Sequence, residues 1–427
     1  MPYFHCKIIT VSVNRRRNAA AKQEEKVLIK KYHLTIFFIV YFMYTFASNF
    51  VHPVTPAFLQ LINCSSSMFG FAFAAMAFGQ FITSSLWGKI GDKIGYARAT
   101  AFGFVGYGLS ALIFSMAKSW HLVVLGRFIG GIGIAAIRVN SMAYLTAMDA
   151  PAEERNKLLV IYASMQSIGG AFGFLVGGLI GDYSVYYSFY AQCITLVLMA
   201  AITYLCIKEH PNFVKSSEKL SAKDVNPFVS ISAGMKLINI TIAVFLVSAF
   251  FSMFATSGFD QNFNYYLRAK FNFAPSSSGL FKAIVGIISL VTNLTINMWI
   301  VRKTNISKSM CVTILLSAVS IFAMVMSPNQ TYVLIFAVIY YGFFAMFNPL
   351  QQAVMLKNDD ASSKGAVAGL FNASRSFGMM AGPTFAGLIF DINPDYAFIA
   401  FAVMLVISAA ISYVNYLQLK KAGVYKD

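Results

Sequence analysis

Long apolar stretches alternate with short polar ones along almost all of the chain's 427 residues. A helix needs about 20 consecutive apolar residues to cross the hydrocarbon core of a bilayer, and nearly all of these stretches are that long. The pattern predicts an all-α membrane protein with twelve transmembrane helices. These spans, numbered 1 to 12 in chain order, are residues 34–58, 67–87, 99–117, 121–147, 157–181, 187–207, 237–265, 277–301, 309–327, 331–356, 364–390 and 396–418.

The polar segments divide the predicted spans into two halves of six. An even number of spans puts both termini on one side of the membrane. No apolar stretch precedes span 1, so a cleaved signal peptide is not expected. The predicted parts are a basic N-terminal tail (1–33), a first six-helix half (34–207), a central loop (208–236), a second six-helix half (237–418) and a C-terminal tail (419–427).

The positive charges indicate which side holds the termini. Of the 33 Lys and Arg residues, 26 lie on the side of the termini, three on the other side and four inside spans. Loops rich in Lys and Arg stay in the cytoplasm, so we expect cytoplasmic termini and a multi-pass protein of the plasma (inner) membrane. The net charge of +17 then reflects this topology and anionic lipid, and no nucleic-acid partner is predicted.

The second half repeats features of the first. With a shift of 209 residues, span 5 falls on span 11 and several residues coincide in type. Among the coinciding pairs are Gly169 with Gly378, Gly173 with Gly382, Gly178 with Gly387, Asp182 with Asp391, and Ser167 with Ser376. Small residues four positions apart allow helix backbones to approach closely. Two six-helix halves of parallel topology, related by an axis along the membrane normal, are typical of secondary transporters.

Several short motifs occur at matching places in these spans. The segment after span 2 combines glycines, an acid and bases, Gly88, Asp92, Lys93, Gly95 and Arg98. Span 1 holds Pro53 and Pro56, and span 4 opens with Arg127 inside a glycine motif, Gly126 to Gly133. A segment 150–155 of the form Ala-Pro-Ala-Glu-Glu-Arg follows span 4. Span 5 holds Gly173, Phe174, Gly177 and Gly178, echoed in span 11 by Gly382, Pro383 and Gly387.

In these motifs the chain resembles the major facilitator superfamily, and more narrowly its twelve-span drug–proton antiporter branch. Three features depart from the family pattern. Tyr96 and Ala97 replace basic residues, Phe174 replaces a proline of the antiporter motif, and span 1 lacks the carboxylate that many antiporters carry there.

The resemblance implies roles for the motif residues. Gly88, Asp92, Lys93, Gly95 and Arg98 would form a cytoplasmic gate that holds the halves together and opens as the transporter inverts. Arg127 would take part in proton coupling. The glycines of spans 5 and 11, with Pro383, would shape helix packing. An ordinary turn with a solvated Asp92 is the alternative for the gate motif.

Ionisable residues inside a membrane cost about 2.5–3.5 kcal/mol at a helix centre and are candidates for function. Among the sixteen acidic residues, only Asp260 lies inside a span away from a cytoplasmic boundary. By resemblance, its span 7 lines the central cavity, so Asp260 is the leading candidate for binding a proton or a cationic substrate. The alternative is an ion pair with Lys282 that closes an outer gate.

The remaining candidates are cations and a histidine. Arg375 lies near the middle of span 11, where an anion, carbonyl groups or water must meet its charge. Arg138 lies eleven residues after Arg127, on the same helix face; it could attract an anionic group, snorkel, or pair with Asp149 or Glu153. His52 could switch its protonation near neutral pH or could be a satisfied structural group.

Polar and aromatic residues of spans 1, 7 and 10 are predicted to form a cavity wall, Asn49, Gln261, Asn264, Tyr340, Phe344 and Phe347. The sequence has no Walker A motif, nucleophile elbow or metal-ligand cluster, so we expect neither an enzyme nor a cofactor or metal. Transport would run on an ion gradient, with protons as the expected ion, or on downhill flow of the substrate, with no ATPase subunit and with a monomer as the working unit.

Three functions remain open from the sequence. The first is a proton-coupled exporter of hydrophobic and often cationic compounds, which Asp260 and the aromatic wall favour. The second is a carrier for an organic anion, a metabolite or a sugar, and the four intramembrane cations favour an anion. The third is a membrane sensor without transport activity, although the sequence contains no appended signalling domain.

Overall fold

The computed structural model describes residues 32–65, 67–148, 151–209, 213, 215–217, 226, 235, 238–355 and 364–423. Almost all of the predicted N-terminal tail, most of the predicted central loop and the last four residues lie outside these ranges. The boundaries predicted for the tails and the loop therefore stay predictions.

Helices make up nearly all of the described chain, which contains no strand. A π-helical turn, Asn293–Asn297, joins the helix Pro275–Thr292 to the helix Met298–Lys303. Among the described residues, ten helical regions are long and apolar enough to cross a membrane, while Tyr32–Ala47 with Thr55–Leu61, and Lys364–Phe390, occupy the other two predicted spans. The helices are α1 Tyr32–Ala47, α2 Thr55–Leu61, α3 Ser67–Ile94, α4 Tyr96–Ser115, α5 Trp120–Thr146, α6 Ala152–Tyr183, α7 Val185–Cys206, α8 Ile240–Phe271, α9 Pro275–Thr292, α10 Met298–Lys303, α11 Ile306–Val325, α12 Gln330–Met355, α13 Lys364–Phe390 and α14 Pro394–Lys421.

Span 1 is interrupted, although its hydropathy predicts one continuous helix. Helix α1 ends at Ala47, and turns lead to α2, which begins at Thr55. Pro53 and Pro56 flank the start of α2 and lack the backbone N–H that a continuous helix would use. The interruption places His52 in contact with α6, where its ring stacks on Phe174 with 5.4 Å between ring centroids.

The segment predicted as a loop after span 2 is helical. Helix α3 continues to Ile94 and α4 begins at Tyr96, so only Gly95 separates them. Gly95 has φ 105°, a left-handed conformation that favours glycine. The predicted end at residue 87 was wrong because hydropathy reports where the apolar segment stops. Backbone hydrogen bonding continues until a residue interrupts it.

The repeat found in the sequence is present in the packing of the helices. In each half, two glycines of one helix face backbone carbonyl groups of another helix. A Cβ atom on any of these glycines would collide with the facing helix. The four pairs are Gly169–Phe42 and Gly173–Phe46 between α6 and α1, and Gly378–Phe250 and Gly382–Phe254 between α13 and α8.

The two halves meet along two seams, where α6 packs on α9 and α3 packs on α13. Gly279 faces the carbonyl group of Phe174 across one seam, and Gly70 faces that of Pro383 across the other. The two glycines are 209 residues apart, and so are Phe174 and Pro383, so the two contacts are equivalent. Both lie toward the end of the bundle opposite the chain termini, which we call the distal end.

Candidate functional site

A small cavity lies between the halves near the distal end. Its volume is 80 Å³, and it is bordered by both halves. Spans 1, 2 and 5 contribute from the first half, and span 7 contributes from the second. The lining residues are Asn49, His52, Phe69, Phe174, Asp260, Gln261, Asn264 and Tyr265.

Asp260 borders this cavity and forms an ion pair. Its Oδ1 lies 2.5 Å from Nζ of Lys282 in α9. The hydroxyl group of Tyr341 in α12 donates a hydrogen bond of 2.9 Å to the same oxygen and accepts one of 2.5 Å from Lys282. The side chain of Lys282 is 7% exposed, whereas that of Asp260 is 35% exposed, so the carboxylate is the member of the pair that a proton or a cation can reach.

Both members of the ion pair belong to the second half, so the pair itself does not bridge the seam. Lys282 contacts the first half through Phe174, since its Nζ lies 5.6 Å from the centroid of that ring. His52 stacks on the same ring. Phe174, the departure from the antiporter motif, therefore separates His52 from Lys282 and gives the lysine a cation–π contact across the seam.

Other contacts close the distal end around this cavity. The rings of Phe69 and Tyr265 lie 4.1 Å apart between centroids, and they come from opposite halves. The Asp182 carboxylate accepts a hydrogen bond of 3.2 Å from the backbone N–H of Ser276, at the start of α9. These contacts position the first turns of α3 and α9 against the other half.

Arg127 is buried in the first half and has no partner among the described carboxylates. Its Nη2 donates a hydrogen bond of 3.3 Å to the Thr55 hydroxyl, and its guanidinium lies 4.6 Å from the Phe114 ring centroid. Its Nη1 lies 3.9 Å from the sulfur of Met76. Arg127 therefore fixes the N-terminal part of α5 to α2, α3 and α4.

Arg138 lies on α5, about 16 Å closer than Arg127 to the end that holds the chain termini. Its charge interacts with the hydroxyl groups of Tyr41 and Tyr44 in α1 and of Tyr162 in α6. The predicted pairing with Glu153 is absent, because Glu153 pairs with Lys157 at 2.8 Å. Asp149, the other predicted partner, lies outside the described residues.

Arg375 is partly buried in the second half. Its Nη2 donates a hydrogen bond of 2.6 Å to Oδ1 of Asn348 in α12 and lies 3.7 Å from the sulfur of Met253 in α8. The Phe371 ring centroid lies 5.2 Å from its guanidinium carbon. Neutral groups of three helices thus surround this cation.

The residues predicted to form the cavity wall divide into two groups. Asn49, Gln261 and Asn264 line the distal cavity. Tyr340 and Phe347 are buried in the hydrophobic core of the second half, where Tyr340 packs 4.0 Å from Phe259 between ring centroids. Phe344 stacks on Tyr340 at 6.0 Å, so it belongs to the same aromatic packing.

The gate motif lies at the end of the bundle that holds the chain termini. Asp92 accepts a hydrogen bond of 2.8 Å from the Tyr96 hydroxyl and forms no ion pair with Lys93 or Arg98. Gly88 lies within α3, facing Val139 of α5. All of these contacts stay within the first half.

Glu209 completes the surroundings of this motif. Its Oε1 accepts a hydrogen bond of 2.7 Å from the backbone N–H of Ala97, in the first turn of α4. A side chain at Gly95 would collide with this carboxylate, so the motif glycine makes room for it. Burial raises the pKa of the Glu209 carboxyl, although the N–H groups at the start of α4 and nearby Arg98 act in the opposite direction.

Sequence reasoning placed Tyr341 in the aromatic wall of span 10 but missed it as a partner of Asp260, and it missed Glu209 and the three tyrosines around Arg138. The sequence signal that could have identified Tyr341 and Glu209 is that each is a polar residue at a position where none was expected. For Phe174 the signal was the departure from the antiporter motif. The described residues contain no group of three His, Cys, Asp or Glu side chains that could hold a metal ion.

Known proteins resemble this chain along nearly its whole length. The family model "Major Facilitator Superfamily" matches residues 37–307 and 245–423. "Multidrug resistance protein 2" of Bacillus subtilis is 25% identical over 367 residues, covering 85% of this chain and 90% of that protein. "Quinolone resistance protein NorA" of Staphylococcus aureus is 22% identical over 372 residues, covering 83% and 90%. Among solved structures, a bacterial homologue of the human lysosomal transporter Spinster, in an inward-facing conformation, has a TM-score of 0.73 at 14% identity and covers 92% of this chain and 98% of that one.

Proposed function

The chain belongs to the Major Facilitator Superfamily, and we propose that within it this protein is a proton-coupled exporter of hydrophobic, cationic compounds. As a member of this family it is an integral multi-pass membrane transporter of small molecules and not an enzyme. Its relatives named for multidrug and quinolone resistance support the proposal, although their identity to this chain is 22 to 25%.

The accessible carboxylate of Asp260 is the observation that carries the proposal. It lies in a cavity between the halves, and aromatic rings of Phe69, Phe174 and Tyr265 surround it. An anionic group inside an aromatic cavity favours organic cations, because it offers both charge and cation–π contacts. The same carboxylate can bind a proton, so cation and proton would compete for it, as antiport requires.

Lys282 links the binding of a proton or a cation at Asp260 to the contact between the two halves. In the structure, Lys282 neutralises Asp260 and touches Phe174 of the other half. A proton or a cationic substrate on Asp260 would release the lysine from its ion pair and change this contact. The proposed coupling step is therefore a move of Lys282 that loosens the distal seam.

The other candidates take supporting roles in this proposal. Arg127 would set the electrostatic potential near the cavity, and His52 would sense Asp260 through the Phe174 ring. Asp92 and its motif would act as the cytoplasmic gate, with both termini in the cytoplasm and the distal end outside. The energy would come from a proton gradient across the plasma membrane, without a cofactor, and the unit would be a monomer.

Transport by reconstituted protein tests the proposal. We would place the protein in liposomes with a pH-sensitive dye inside and add tetraphenylphosphonium. Wild-type protein should move protons in response to this cation, and Asp260→Asn should not, because an amide cannot exchange a proton. Glu154→Gln, which removes an exposed carboxylate at the start of α6, is the matched control and should behave like wild type.

A second variant guards against misfolding of Asp260→Asn. The double variant Asp260→Asn with Lys282→Met removes both charges and leaves no unpaired lysine. It should fold and still show no cation-driven proton movement. Proton movement in this double variant equal to that of wild type would reject Asp260 as the coupling residue. Absence of a proton response to any cation in wild type would reject the exporter itself.

Carriage of an organic anion is the second candidate function. The three arginines of the spans, Arg127, Arg138 and Arg375, have no ion-pair partner among the described carboxylates. Response of the liposomes to organic anions alone, retained in Asp260→Asn and lost in Arg375→Ala, would favour this function. Asp260 would then be a structural gate residue.

A further inference from the structure

A second cavity, with a volume of 250 Å³, lies in the seam between α3 and α13. The same two helices touch at Gly70 and Pro383 near the distal end. The cavity begins about two turns further along α3, at Ala77, and about one turn back along α13, at Met379. The helices therefore meet at the distal contact and leave a space between them toward the end that holds the chain termini. We call this space the seam cavity.

Polar but uncharged side chains line the seam cavity from both halves. Helix α3 contributes the amide of Gln80 and the hydroxyl group of Ser84, and α13 contributes the amide of Asn372 and the hydroxyl group of Ser376. None of the described residues that line it is ionisable. The seam cavity thus differs from the distal cavity, which contains the carboxylate of Asp260.

The two amides in the seam cavity have unused hydrogen-bonding capacity. The Ser84 hydroxyl donates a hydrogen bond of 2.5 Å to the backbone carbonyl of Gln80, and the Ser376 hydroxyl donates one of 2.9 Å to that of Asn372. The side-chain amides of Gln80 and Asn372 form no hydrogen bond with any described residue. Each amide can therefore both donate and accept inside the cavity, while the two hydroxyl oxygens can still accept.

Aromatic and small residues complete the wall of the seam cavity. Phe81 lines it and lies 5.6 Å from Phe377 of α13 between ring centroids. Gly369 lines it from α13, and a Cβ atom added there would meet nothing within 4 Å. An aromatic ligand can pack against the Phe81 ring and the Met379 thioether. Pockets for drug-sized ligands have volumes of about 300–1,000 Å³, so this cavity suits a smaller compound of one or two rings.

We propose that the seam cavity binds an uncharged aromatic compound with a carboxamide, or a similar group that both donates and accepts hydrogen bonds. Gln80 and Asn372 would bind this group from opposite halves. A charged ligand is disfavoured, because no ionisable residue lines the cavity to offset the loss of its hydration. The proposal goes beyond the proposed function, since the ligand carries no charge and its binding involves neither Asp260 nor a proton.

Binding of two compounds of the same shape tests this site without requiring transport. At neutral pH 2-naphthamide is uncharged, whereas 2-naphthoate carries a negative charge. Equilibrium dialysis with the protein in phosphatidylcholine nanodiscs, and with empty nanodiscs as background, gives the Kd of each compound. We expect the wild-type protein to bind 2-naphthamide at least about tenfold more tightly than 2-naphthoate, because burying the carboxylate without a partner is costly.

Four variants locate the binding site. Gln80→Leu and Asn372→Leu each remove an amide and keep a side chain of similar size. Each should weaken binding of 2-naphthamide about fivefold, the effect of losing one neutral hydrogen bond. Gln330→Leu makes the same change at the exposed start of α12 and should leave the Kd unchanged. Gly369→Leu fills the cavity without a collision at Cβ and should abolish binding, and because it removes a helical glycine it should still fold.

The outcomes separate this proposal from the proposed function. Equal affinity of the wild-type protein for the two compounds would overturn it, and so would binding no greater than that of empty nanodiscs, which would mean that the cavity holds water alone. An unchanged Kd in Gln80→Leu, Asn372→Leu and Gly369→Leu would overturn the location. Loss of binding in the double variant Asp260→Asn with Lys282→Met would move the ligand to the distal cavity and also overturn it. Binding that this double variant retains and the seam variants lose would uphold the site, even if the liposomes showed no proton movement.

Discussion

The two six-helix halves pack their helices in the same way but carry different charges. Equivalent glycines bring α6 onto α1 and α13 onto α8, and equivalent contacts join the halves at Phe174 and Pro383. The ion pair of Asp260 and Lys282 belongs to the second half alone. The repeat therefore determines the architecture, whereas the chemistry of the cavity comes from positions where the halves differ.

The position of Phe174 and Pro383 shows this difference most clearly. Both carbonyl groups face a glycine across a seam, as the backbone repeat requires. The side chain of Phe174 adds contacts of its own, with Lys282 and His52. Phe174 thus lines the cavity in addition to its packing contact, whereas the equivalent position, Pro383, is a packing position.

Breaking the ion pair should have the largest effect on stability. Asp260→Asn leaves the buried ammonium of Lys282 without a counter-ion, and we expect a loss of about 3 kcal/mol in the free energy of unfolding. Lys282→Met should cost less, because the Asp260 carboxylate is more exposed and keeps the Tyr341 hydroxyl. Thermal unfolding in detergent measures both.

The double variant of these two residues is the control. It should recover most of the stability lost in Asp260→Asn, since no unpaired charge remains. If the stability losses of the two single variants add up in the double variant, the two charges do not act as one ion pair.

Adding a methyl group at the repeated glycines should have the next largest effect, and it should be the same in both halves. Gly173→Ala and Gly382→Ala each place a Cβ against a backbone carbonyl, of Phe46 and Phe254. Overpacking of this kind costs about 1–3 kcal/mol, measurable as a lower Tm. Gly342→Ala, where nothing lies within 4 Å of the added Cβ, should leave the Tm unchanged or raise it. A large loss in only one half would disprove equivalent packing.

Removing the Phe174 ring should reveal a further difference between the two halves. Phe174→Leu keeps the carbonyl group that faces Gly279 but loses the cation–π contact with Lys282, at a cost of about 1 kcal/mol. Phe174→Tyr retains an aromatic face and should keep the wild-type Tm. If both variants lower the Tm equally, the ring contributes shape alone and not attraction for the lysine.

The smallest effect should come from Glu209, which caps α4 in the first half. Glu209→Ala should cost about 1 kcal/mol because the first N–H groups of the helix lose their acceptor, whereas Glu209→Gln keeps an acceptor oxygen. The raised pKa of this carboxyl means that folding favours its protonated form. Its stabilising contribution is therefore complete below the ordinary pKa of 4.5 and is lost as the pH rises through the raised value.

A comparison of Tm against pH checks this sign. Relative to Glu209→Gln, which carries no charge at any pH, the wild-type Tm should fall as the pH rises above 4.5. A wild-type Tm that rises relative to Glu209→Gln over the same range would show that the N–H groups and Arg98 outweigh burial.

The sequence by itself determined the membrane-spanning class, the helical architecture and the internal repeat. Hydropathy and the spacing of small residues are local properties, so they can be recognised without coordinates. The resemblance to the superfamily, now confirmed by the family match, came from motifs that are also local. Asp260 could be identified from the sequence because a single acidic residue in an apolar span is rare, however the helices pack.

Only the tertiary structure decided which groups meet. Lys282 and Tyr341 lie 22 and 81 residues from Asp260, and Tyr44 lies on a different helix from Arg138. Such contacts depend on how each helix is rotated about its axis and tilted against its neighbours. A change of one residue in helix phase turns a side chain by about 100°, so no pattern along a single helix can fix its partner on another.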